Sequence, residues 1–216
     1  MISVNKVRVP DLHFADQVRK GPLYQGHGTY RWAKLEAALA HCDPERRRHA
    51  VDVGAHVGLW SWPLSFEFSR VTAFEPIEQF AKLFEWNLSK RDNVKLRRRA
   101  LAERHGESGF VYNGTARLKS GDLPLWAATV HVAKLDEMEL TEVDFLKISC
   151  EGGEHLVLLG GEKTIRRDKP VIAIEQKPKR MADYGLERDA GLKLLMRWGA
   201  LPVWDGEGDW VLKWPA

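Results

Sequence analysis

The chain has few cysteines and no long apolar run. Its two cysteines, Cys42 and Cys150, are too few for the disulfide framework on which small secreted domains depend. No apolar run reaches the ~18 residues that a membrane-spanning helix needs. The first residues, Met-Ile-Ser-Val-Asn-Lys-Val-Arg, lack the apolar core of a signal peptide. We therefore expect a cytoplasmic protein without a membrane partner.

A strong charge of either sign is also missing. Lys and Arg number 33 and Asp and Glu number 30, so the 216 residues have a formal net charge of +3. This balance permits an anionic substrate but does not indicate one. Hydrophobic residues at 44% and charged residues at 29% are typical of a globular protein. The length predicts a single domain over residues 1–216. We expect a monomer or homodimer, with a partly helical extension (residues 1–48) before a core (residues 49–216).

Strands and helices alternate from Ala50 onward. Apolar runs predict seven strands: Ala50–Gly54, Val71–Glu75, Val94–Leu101, Asp144–Cys150, Val171–Glu175, Leu201–Trp204 and Trp210–Trp214. Helical spacing predicts the helices Gly58–Glu67, Glu78–Lys90, Glu154–Ile165 and Arg188–Trp198. This alternation predicts an α/β fold, a Rossmann-like, mostly parallel sheet with helices on both faces. The last two strands flank a glycine-containing turn and predict a C-terminal antiparallel hairpin.

Two segments lie outside this alternation. Ser108–Tyr112 and Thr129–Ala133 have the pattern of extra strands and enclose a polar loop, Asn113–Asp122. A loop of this length is either functional or disordered. Earlier in the chain, the glycine-containing stretch Tyr24–Tyr30 precedes a helix predicted over Tyr30–Leu39. This stretch is either the loop that leads into the helix or a lid over a ligand.

The segment Val51–Trp60, taken together with Val71–Pro76, indicates a nucleotide-type ligand. An apolar strand runs into a turn with Gly54 and Gly58 and then into a helix. A second strand ends on Glu75, about 20 residues further on, as in nucleotide-binding sheets. This order builds a pocket at the carboxyl edge of a parallel sheet, where Glu75 can accept hydrogen bonds from a ribose.

The turn lacks the phosphate anchors of two ligand classes. A dinucleotide fingerprint needs G-x-G-x-x-G, but Gly54-Ala-His-Val-Gly58 is one glycine short. A P-loop needs Lys-Ser or Lys-Thr after its last glycine, and neither follows Gly58. S-adenosylmethionine has no phosphate, and the small residues Gly54, Ala55 and Gly58 leave room for its methionine part. Asp52 can order its ammonium group directly or through water. We therefore expect S-adenosylmethionine as the cofactor.

A second group of residues follows the fourth predicted strand. Phe145–Ile148 delivers Ser149, Cys150 and Glu151 to the same sheet edge, beside the methyl donor. Gly152-Gly153 then opens a helix whose free amides favour an anionic or oxyanionic group.

In order and spacing, these motifs resemble the FkbM family of S-adenosylmethionine-dependent methyltransferases. That family shows D-V-G-A-N-x-G, then F-E-P, a leucine-aspartate pair, D-F-x-K-I-D-V-E-G-x-E and a glutamate at the next strand end. The resemblance covers roughly Ala50 to Glu175. It implies a class I methyltransferase fold and methyl transfer, usually to a hydroxyl oxygen of a sugar or small metabolite. The matching positions are Asp52, Gly54, Ala55, Gly58, Glu75, Pro76, Asn87, Asp136, Lys147, Glu151, Gly152, Glu154 and Glu175.

The chain departs from the family pattern at two positions. His56 replaces an asparagine, which changes how the methionine carboxylate is held. Ser149 replaces an aspartate at a position that faces the reaction centre. Glu151 is then the nearest candidate base, with Ser149 as a hydrogen-bonding anchor and Glu175 beside the acceptor. Lys177 follows this strand end and is either an exposed turn lysine or a contact for a phosphorylated or carboxylated acceptor.

The expected function is O-methylation of a hydroxyl on a sugar, nucleotide or other small metabolite, without a metal ion. Expected cofactor contacts are Asp52, Gly54, Ala55, His56, Gly58, Glu75, Pro76, Leu101 and Ala102, the last two near the adenine. A nucleic acid or nucleobase acceptor is less favoured, because strand four ends Ile-Ser-Cys-Glu and not [DNS]-P-P-[YFW]. The basic clusters also form no continuous phosphate track. Ser149 leaves a third reading, a cofactor-binding protein that has lost turnover.

Overall fold

The structure is a computed structural model and describes residues 1–112, 116–119, 128–206 and 208–215. Its strands, in chain order, are β1 (Ile2–Val4), β2 (Val7–Val9), β3 (Leu23–Tyr24), β4 (His27–Gly28), β5 (His49–Val53), β6 (Arg70–Phe74), β7 (Val94–Arg97), β8 (Ala100–Leu101), β9 (Gly106–Tyr112), β10 (Ala116–Lys119), β11 (Ala128–Ala133), β12 (Val143–Ile148), β13 (Val171–Glu175), β14 (Leu201–Gly206) and β15 (Asp209–Lys213). Its α-helices are α1 (Leu12–Lys20), α2 (Trp32–Ala40), α3 (Ser61–Glu67), α4 (Glu78–Asn87), α5 (Glu154–Gly160), α6 (Glu162–Asp168), α7 (Pro178–Met181) and α8 (Ala190–Arg197). Short 3-10 turns cover Pro44–Arg46, Leu135–Met138 and Ala182–Tyr184.

The main sheet has seven strands in the order β14-β15-β13-β12-β5-β6-β7. Five neighbouring strands, from β13 to β7, run parallel, and β15 runs antiparallel to both β13 and β14. The predicted α/β sheet with a C-terminal antiparallel hairpin is therefore confirmed. Its register pairs Glu175 with Asp209, so the first residue of β15 lies at the carboxyl edge of the parallel strands.

Alternate residues of the central strands bury opposite faces of this sheet. Val51 and Leu146 pack in a core with α5, α6 and α8. Ala50 and Phe145 face the other side, where Leu35 of α2 and other apolar side chains cover them. This two-sided burial explains the nearly continuous apolar runs of the parallel strands.

Glycines move several predicted boundaries. Gly58 has φ +89°, outside the helical region, so α3 begins at Ser61 and not at Gly58. The helix predicted over Glu154–Ile165 is two helices, α5 and α6, which meet at Gly160-Gly161. Adjacent glycines weaken a helix, because they add backbone entropy to the unfolded chain.

A smaller four-stranded sheet, β10-β9-β11-β8, lies beside the main one. Both extra strands predicted from the sequence are present in it as β9 and β11. The third predicted strand, Val94–Leu101, is divided, because its last part (β8) leaves the main sheet and pairs with β11. The prediction of a loop over Asn113–Asp122 is wrong at Ala116–Lys119, because these residues form β10, which pairs with β9. The other residues of the predicted loop lie outside the described ranges.

The first 48 residues form α1, α2 and two small hairpins. The hairpins β1-β2 and β3-β4 escaped prediction because strands of two or three residues carry no measurable periodicity. Part of the stretch Tyr24–Tyr30, considered above as a loop or lid, is the β3-β4 hairpin. In the described part of the chain, no helix has the length and apolar character to span a membrane.

Candidate active site

The turn after β5 brings two strand ends into contact. Gly54 has φ +74°, and a Cβ atom there would lie 1.9 Å from the carbonyl oxygen of Ser149. No other residue fits, since that distance is far below any real contact. The amides of Gly54 and Ala55 both donate to the Phe74 carbonyl, 3.0 Å away. The glycine therefore holds the ends of β5, β6 and β12 together at the carboxyl edge.

Glu75 follows β6 and lies buried at this edge. Its Oε2 accepts the amide of His56 and its Oε1 accepts the amide of Ile77, each at 2.9 Å. Burial raises the pKa of this carboxyl to about 7, although the two amides and Lys147 oppose the shift. Each oxygen keeps acceptor capacity for a further donor such as a ribose hydroxyl.

The imidazole of His56 is held in an aromatic stack. Its ring centroid lies 4.4 Å from that of Phe14, which α1 supplies, and 4.1 Å from that of Phe80. Burial, with a smaller contribution from Lys147, lowers the pKa of His56 to about 3, so the ring is neutral near pH 7. This histidine thus joins the turn after β5 to the extension through ring stacking, a contact that an asparagine cannot make.

Lys147 lies under the same loop. Its Nζ donates to the carbonyl oxygens of Val53 and Gly54, at 3.1 and 2.7 Å, and lies 2.9 Å from Asp52 Oδ1. Asp52 Oδ2 accepts a 2.7 Å hydrogen bond from Ser61. Both oxygens of Asp52 therefore face protein groups below the loop.

A cavity of about 170 Å³ opens at this carboxyl edge. Its lining combines the turn after β5, the ends of the neighbouring strands and parts of the extension. The lining residues are Phe14, Tyr30, Arg31, Lys34, Val53, Gly54, Ala55, His56, Leu59, Trp60, Phe74, Glu75, Pro76, Phe80, Arg99, Ala100, Leu101, Lys147, Ser149, Cys150, Glu151, Gly153, Leu156, Glu175, Lys177, Tyr184 and Asp209.

The far side of the cavity carries a chain of alternating charges. Ser149 Oγ donates to Glu175 Oε2 at 2.9 Å, and Lys177 Nζ lies 3.0 Å from Glu175 Oε1. The same Lys177 Nζ lies 3.1 Å from Glu151 Oε1, and Arg180 Nε lies 3.6 Å from Glu151 Oε2. Lys177, whose side chain is 39% exposed, thus bridges two carboxylates.

The charges at this end keep one carboxylate ionised. Burial raises the pKa of Glu175, but Lys177, Lys34 and the hydrogen bond from Ser149 outweigh it, and the pKa lies below its usual value. Burial also raises the pKa of Cys150, whose thiol is therefore protonated and a poor nucleophile.

A second glutamate shapes the turn after β12. Glu154 is fully buried, and its Oε1 accepts the amides of Cys150 and Gly152, at 2.8 and 3.2 Å. Burial raises the pKa of Glu154 to about 7. It holds the backbone that presents Glu151, whose φ of +57° is in the left-handed region.

Most of the predicted site residues meet at the cavity, and three do not line it. Asp52 is turned toward Lys147 and Ser61, as described. Gly58 lies against α4, where a Cβ atom would come within 2.3 Å of Leu88 Cδ2. Ala102 is buried beside α5, and its carbonyl oxygen would lie 2.0 Å from a Cβ atom at Gly160. These three residues support the cavity from behind.

The structure also brings in cavity residues that the sequence did not reveal. Phe14, Arg31 and Lys34 come from the extension, for which no motif was available, whereas Tyr30 ends the stretch considered above as a loop or lid. Asp209 had a usable signal: the first residue of an antiparallel last strand must lie at the carboxyl edge of the parallel ones. In the described ranges, no group of three or more His, Cys, Asp or Glu side chains is arranged to hold a metal ion.

Solved methyltransferases share this fold at low sequence identity. The FkbM methyltransferase of Methylobacillus flagellatus aligns with a TM-score of 0.54 and 18% identity over 77% of this chain, which spans only 43% of that protein. The N-methyltransferase NodS of Bradyrhizobium japonicum, solved with S-adenosylhomocysteine, aligns with a TM-score of 0.53 and 6% identity. The alignment covers 86% of this chain and 85% of the NodS chain. An rRNA methylase of Streptococcus thermophilus aligns with a TM-score of 0.52 and 16% identity, over 85% of this chain and 95% of the methylase chain. No curated protein matches the sequence.

The strand order and these structures show the fold class, which is that of the class I methyltransferases. Within this class, the model of the family described as "Methyltransferase FkbM domain" matches residues 52–189. The chain therefore belongs to the FkbM methyltransferase family. The matched segment ends before β14 and β15 and begins after the extension.

Proposed function

We propose that the protein methylates a hydroxyl oxygen of an uncharged small molecule such as a sugar. The observation that carries this proposal is that Glu75 and the Ser149–Glu175 pair line the same cavity. One end has a buried carboxylate suited to a ribose, and the other has a hydroxyl held by an ionised carboxylate.

The donor end fits S-adenosylmethionine by shape and by donor set. Gly54 and Ala55 line the cavity without long side chains, and Glu75 offers its carboxylate oxygens to the ribose hydroxyls. Ala55, Pro76 and Leu101 add small or apolar walls, with Leu101 on the adenine side. We assign His56 a neutral polar contact with the methionine part, and Asp52 a supporting role through Lys147.

The cofactor supplies a methyl group on a sulfonium ion. At the acceptor end, we propose that the substrate hydroxyl donates to Ser149 Oγ, whose own proton is held by Glu175 Oε2. This arrangement aims an oxygen lone pair at the donor and gives the leaving proton a path to Glu175. Methyl transfer gains chiefly from positioning and desolvation, so a strong base is not required.

Glu151 is less suited to take this proton than its position in the sequence suggests. Lys177 donates a hydrogen bond to its Oε1 and Arg180 lies 3.6 Å from its Oε2, and protonation would weaken both ion pairs. We propose that Glu151 acts by fixing Lys177 beside Glu175.

The pairing of Lys177 and Lys34 with carboxylates favours a neutral acceptor, although Arg31 and Arg99 also line the cavity. Lys177 lies between Glu175 and Glu151, and Lys34 lies beside Asp209. A phosphate or carboxylate in this space would have to compete with these carboxylates for the same cations.

The proposal is tested first by calorimetric titration with S-adenosylmethionine and S-adenosylhomocysteine, and then by transfer of a labelled methyl group. We expect both ligands to bind and the label to enter neutral glycosides. Acceptors for comparison are sugar phosphates, nucleosides and an RNA oligonucleotide. Transfer to RNA, weakened by salt, would refute the small-molecule assignment, and transfer only to phosphorylated sugars would refute the neutral one.

A further inference from the structure

Two charged residues of the acceptor end come from outside the segment that defines the family. Lys34 belongs to α2 in the extension, and Asp209 is the first residue of β15. The family match covers residues 52–189, so neither residue is part of the shared methyltransferase core. Both line the same cavity as Ser149 and Glu175.

The fold fixes this pair firmly. Asp209 is the register partner of Glu175, and α2 is anchored on the sheet by the buried Leu35 and Ala38. Lys34 Nζ lies 3.4 Å from Asp209 Oδ1, and the Lys34 and Asp209 side chains are 5% and 6% exposed. Lys34 Nζ also lies 5.6 Å from the ring centroid of Trp60, another residue of the cavity wall.

The pair has binding capacity left over. A charge-assisted hydrogen bond prefers about 2.7–2.9 Å, and the 3.4 Å separation is longer. An ammonium group has three donors and a carboxylate has about four acceptor sites. Burial lowers the pKa of Lys34 and raises that of Asp209, while Glu175 acts on both groups and Arg31 on Asp209.

An ion pair on the opposite sheet edge, between the part-exposed Arg48 and the buried Asp144, shows the contrast. Arg48 Nη2 and Nε lie 2.7 and 2.9 Å from the two carboxylate oxygens of Asp144, and the Arg48 amide donates to the same group. That pair is saturated and does not line the cavity. Lys34 and Asp209 lack the short, multiple contacts of that pair.

We infer that Lys34 and Asp209 bind the acceptor, with Asp209 accepting from one hydroxyl and Lys34 donating to the oxygen of its neighbour. The inference rests on the proposed function and makes it more specific: the acceptor carries two adjacent hydroxyl groups, and the site selects it through residues outside the family core. A molecule without the second hydroxyl leaves one buried charge without its partner, which is costly.

The test compares Lys34→Met, Asp209→Asn and the double variant with the wild type and with the control Asp144→Asn. The probes are methyl glucoside and methyl rhamnoside, with their monodeoxy analogues. We expect each single variant to raise the acceptor KM about ten-fold or more, while S-adenosylhomocysteine affinity stays unchanged. The wild type should also lose a similar factor on the deoxy analogue, and the variants should not. Asp144→Asn should leave KM unchanged.

The double variant separates binding from folding. Removing both charges of a buried pair is often neutral for stability, whereas removing one is costly. If the pair were only structural, the double variant would regain both its melting temperature and its KM, and the inference would be wrong. It would also be wrong if S-adenosylhomocysteine affinity fell, since the pair would then belong to the donor end. A wild type that binds S-adenosylhomocysteine but methylates no glycoside refutes the proposed function, and this inference with it.

Discussion

Glu75 and Glu154 are buried carboxyl groups whose ionisation lowers the stability of the folded chain. For Glu75, the ionised form is also the form proposed to bind the cofactor. Each is a buried carboxyl that accepts two backbone amides, and burial raises the pKa of each to about 7. In the unfolded chain such a group titrates near its ordinary value of about 4.3. The folded state therefore binds protons more strongly, and the stabilising effect of each group is lost as pH rises toward its folded pKa.

The first prediction follows from this linkage for Glu75→Gln, which resembles the protonated form. Relative to the wild type, the variant should gain stability as pH rises from about 5 to 8, by up to about 3 kcal/mol. Urea unfolding of the ligand-free proteins at several pH values measures the difference. A difference that stays constant over this range would show that the Glu75 pKa is not raised. S-adenosylhomocysteine affinity should fall in the same variant.

A second residue-scale prediction separates Glu151 from Ser149. Glu151→Gln should keep S-adenosylhomocysteine affinity and lose less than about ten-fold in turnover, because removing a true general base costs about 10²–10⁴-fold. Ser149→Ala should lose more turnover than Glu151→Gln, because it removes the proposed anchor of the acceptor hydroxyl. Steady-state rates of both variants decide this. A loss of 100-fold or more in Glu151→Gln would make Glu151 the base after all.

At the scale of elements, α1 is the helix of the extension that contacts the turn after β5. Phe14 stacks on His56, and its ring also lies 5.9 Å from that of Tyr30. Asp11 caps the helix by accepting the Phe14 amide at 3.0 Å, which fixes the start of α1 against the core. Order in the loop and docking of the helix are therefore linked through one ring.

We expect Phe14→Ala to lower the free energy of unfolding by about 1–3 kcal/mol and to weaken S-adenosylhomocysteine binding. The reason is that the His56 ring loses one side of its stack, which leaves the loop less ordered. Leu12→Ala, on the same helix but with Leu12 66% exposed, is the matched control and should change neither quantity. Calorimetry and thermal unfolding measure both effects. Equal behaviour of the two variants would contradict the link.

The elements differ in how far the sequence could predict them. The parallel strands were predictable, since residues such as Val51 and Leu146 belong to apolar runs buried on both faces. Glu75 and Ser149 were predictable as site residues because strand ends meet at one edge. Lys34 was not, because its helix reaches the site by packing across the sheet, which no local pattern encodes. The same holds for Phe14 and for the supporting role of Asp52, which depends on its neighbour Lys147.

For the whole molecule, the cofactor should act as a stabiliser of the folded chain. A ligand that binds only the folded state adds about 2.7 kcal/mol at 100 times its dissociation constant. For a chain of 216 residues, this corresponds to a rise in melting temperature of roughly 5–10 °C. Thermal unfolding with and without S-adenosylhomocysteine measures the shift. Glu75→Ala should show a much smaller one, and an equal shift in that variant would remove Glu75 from the cofactor site.

The reversed last strand has a consequence for how the protein is made. A chain leaves the ribosome from its amino end, and domains fold largely as units during synthesis. Lys34 emerges early, but its partner Asp209 follows only with β15. The acceptor end is therefore completed after the donor loop at Gly54 and Glu75 has already been synthesised. Because the domain folds as a unit, discrimination among acceptors requires that this last strand has been synthesised and paired with β13.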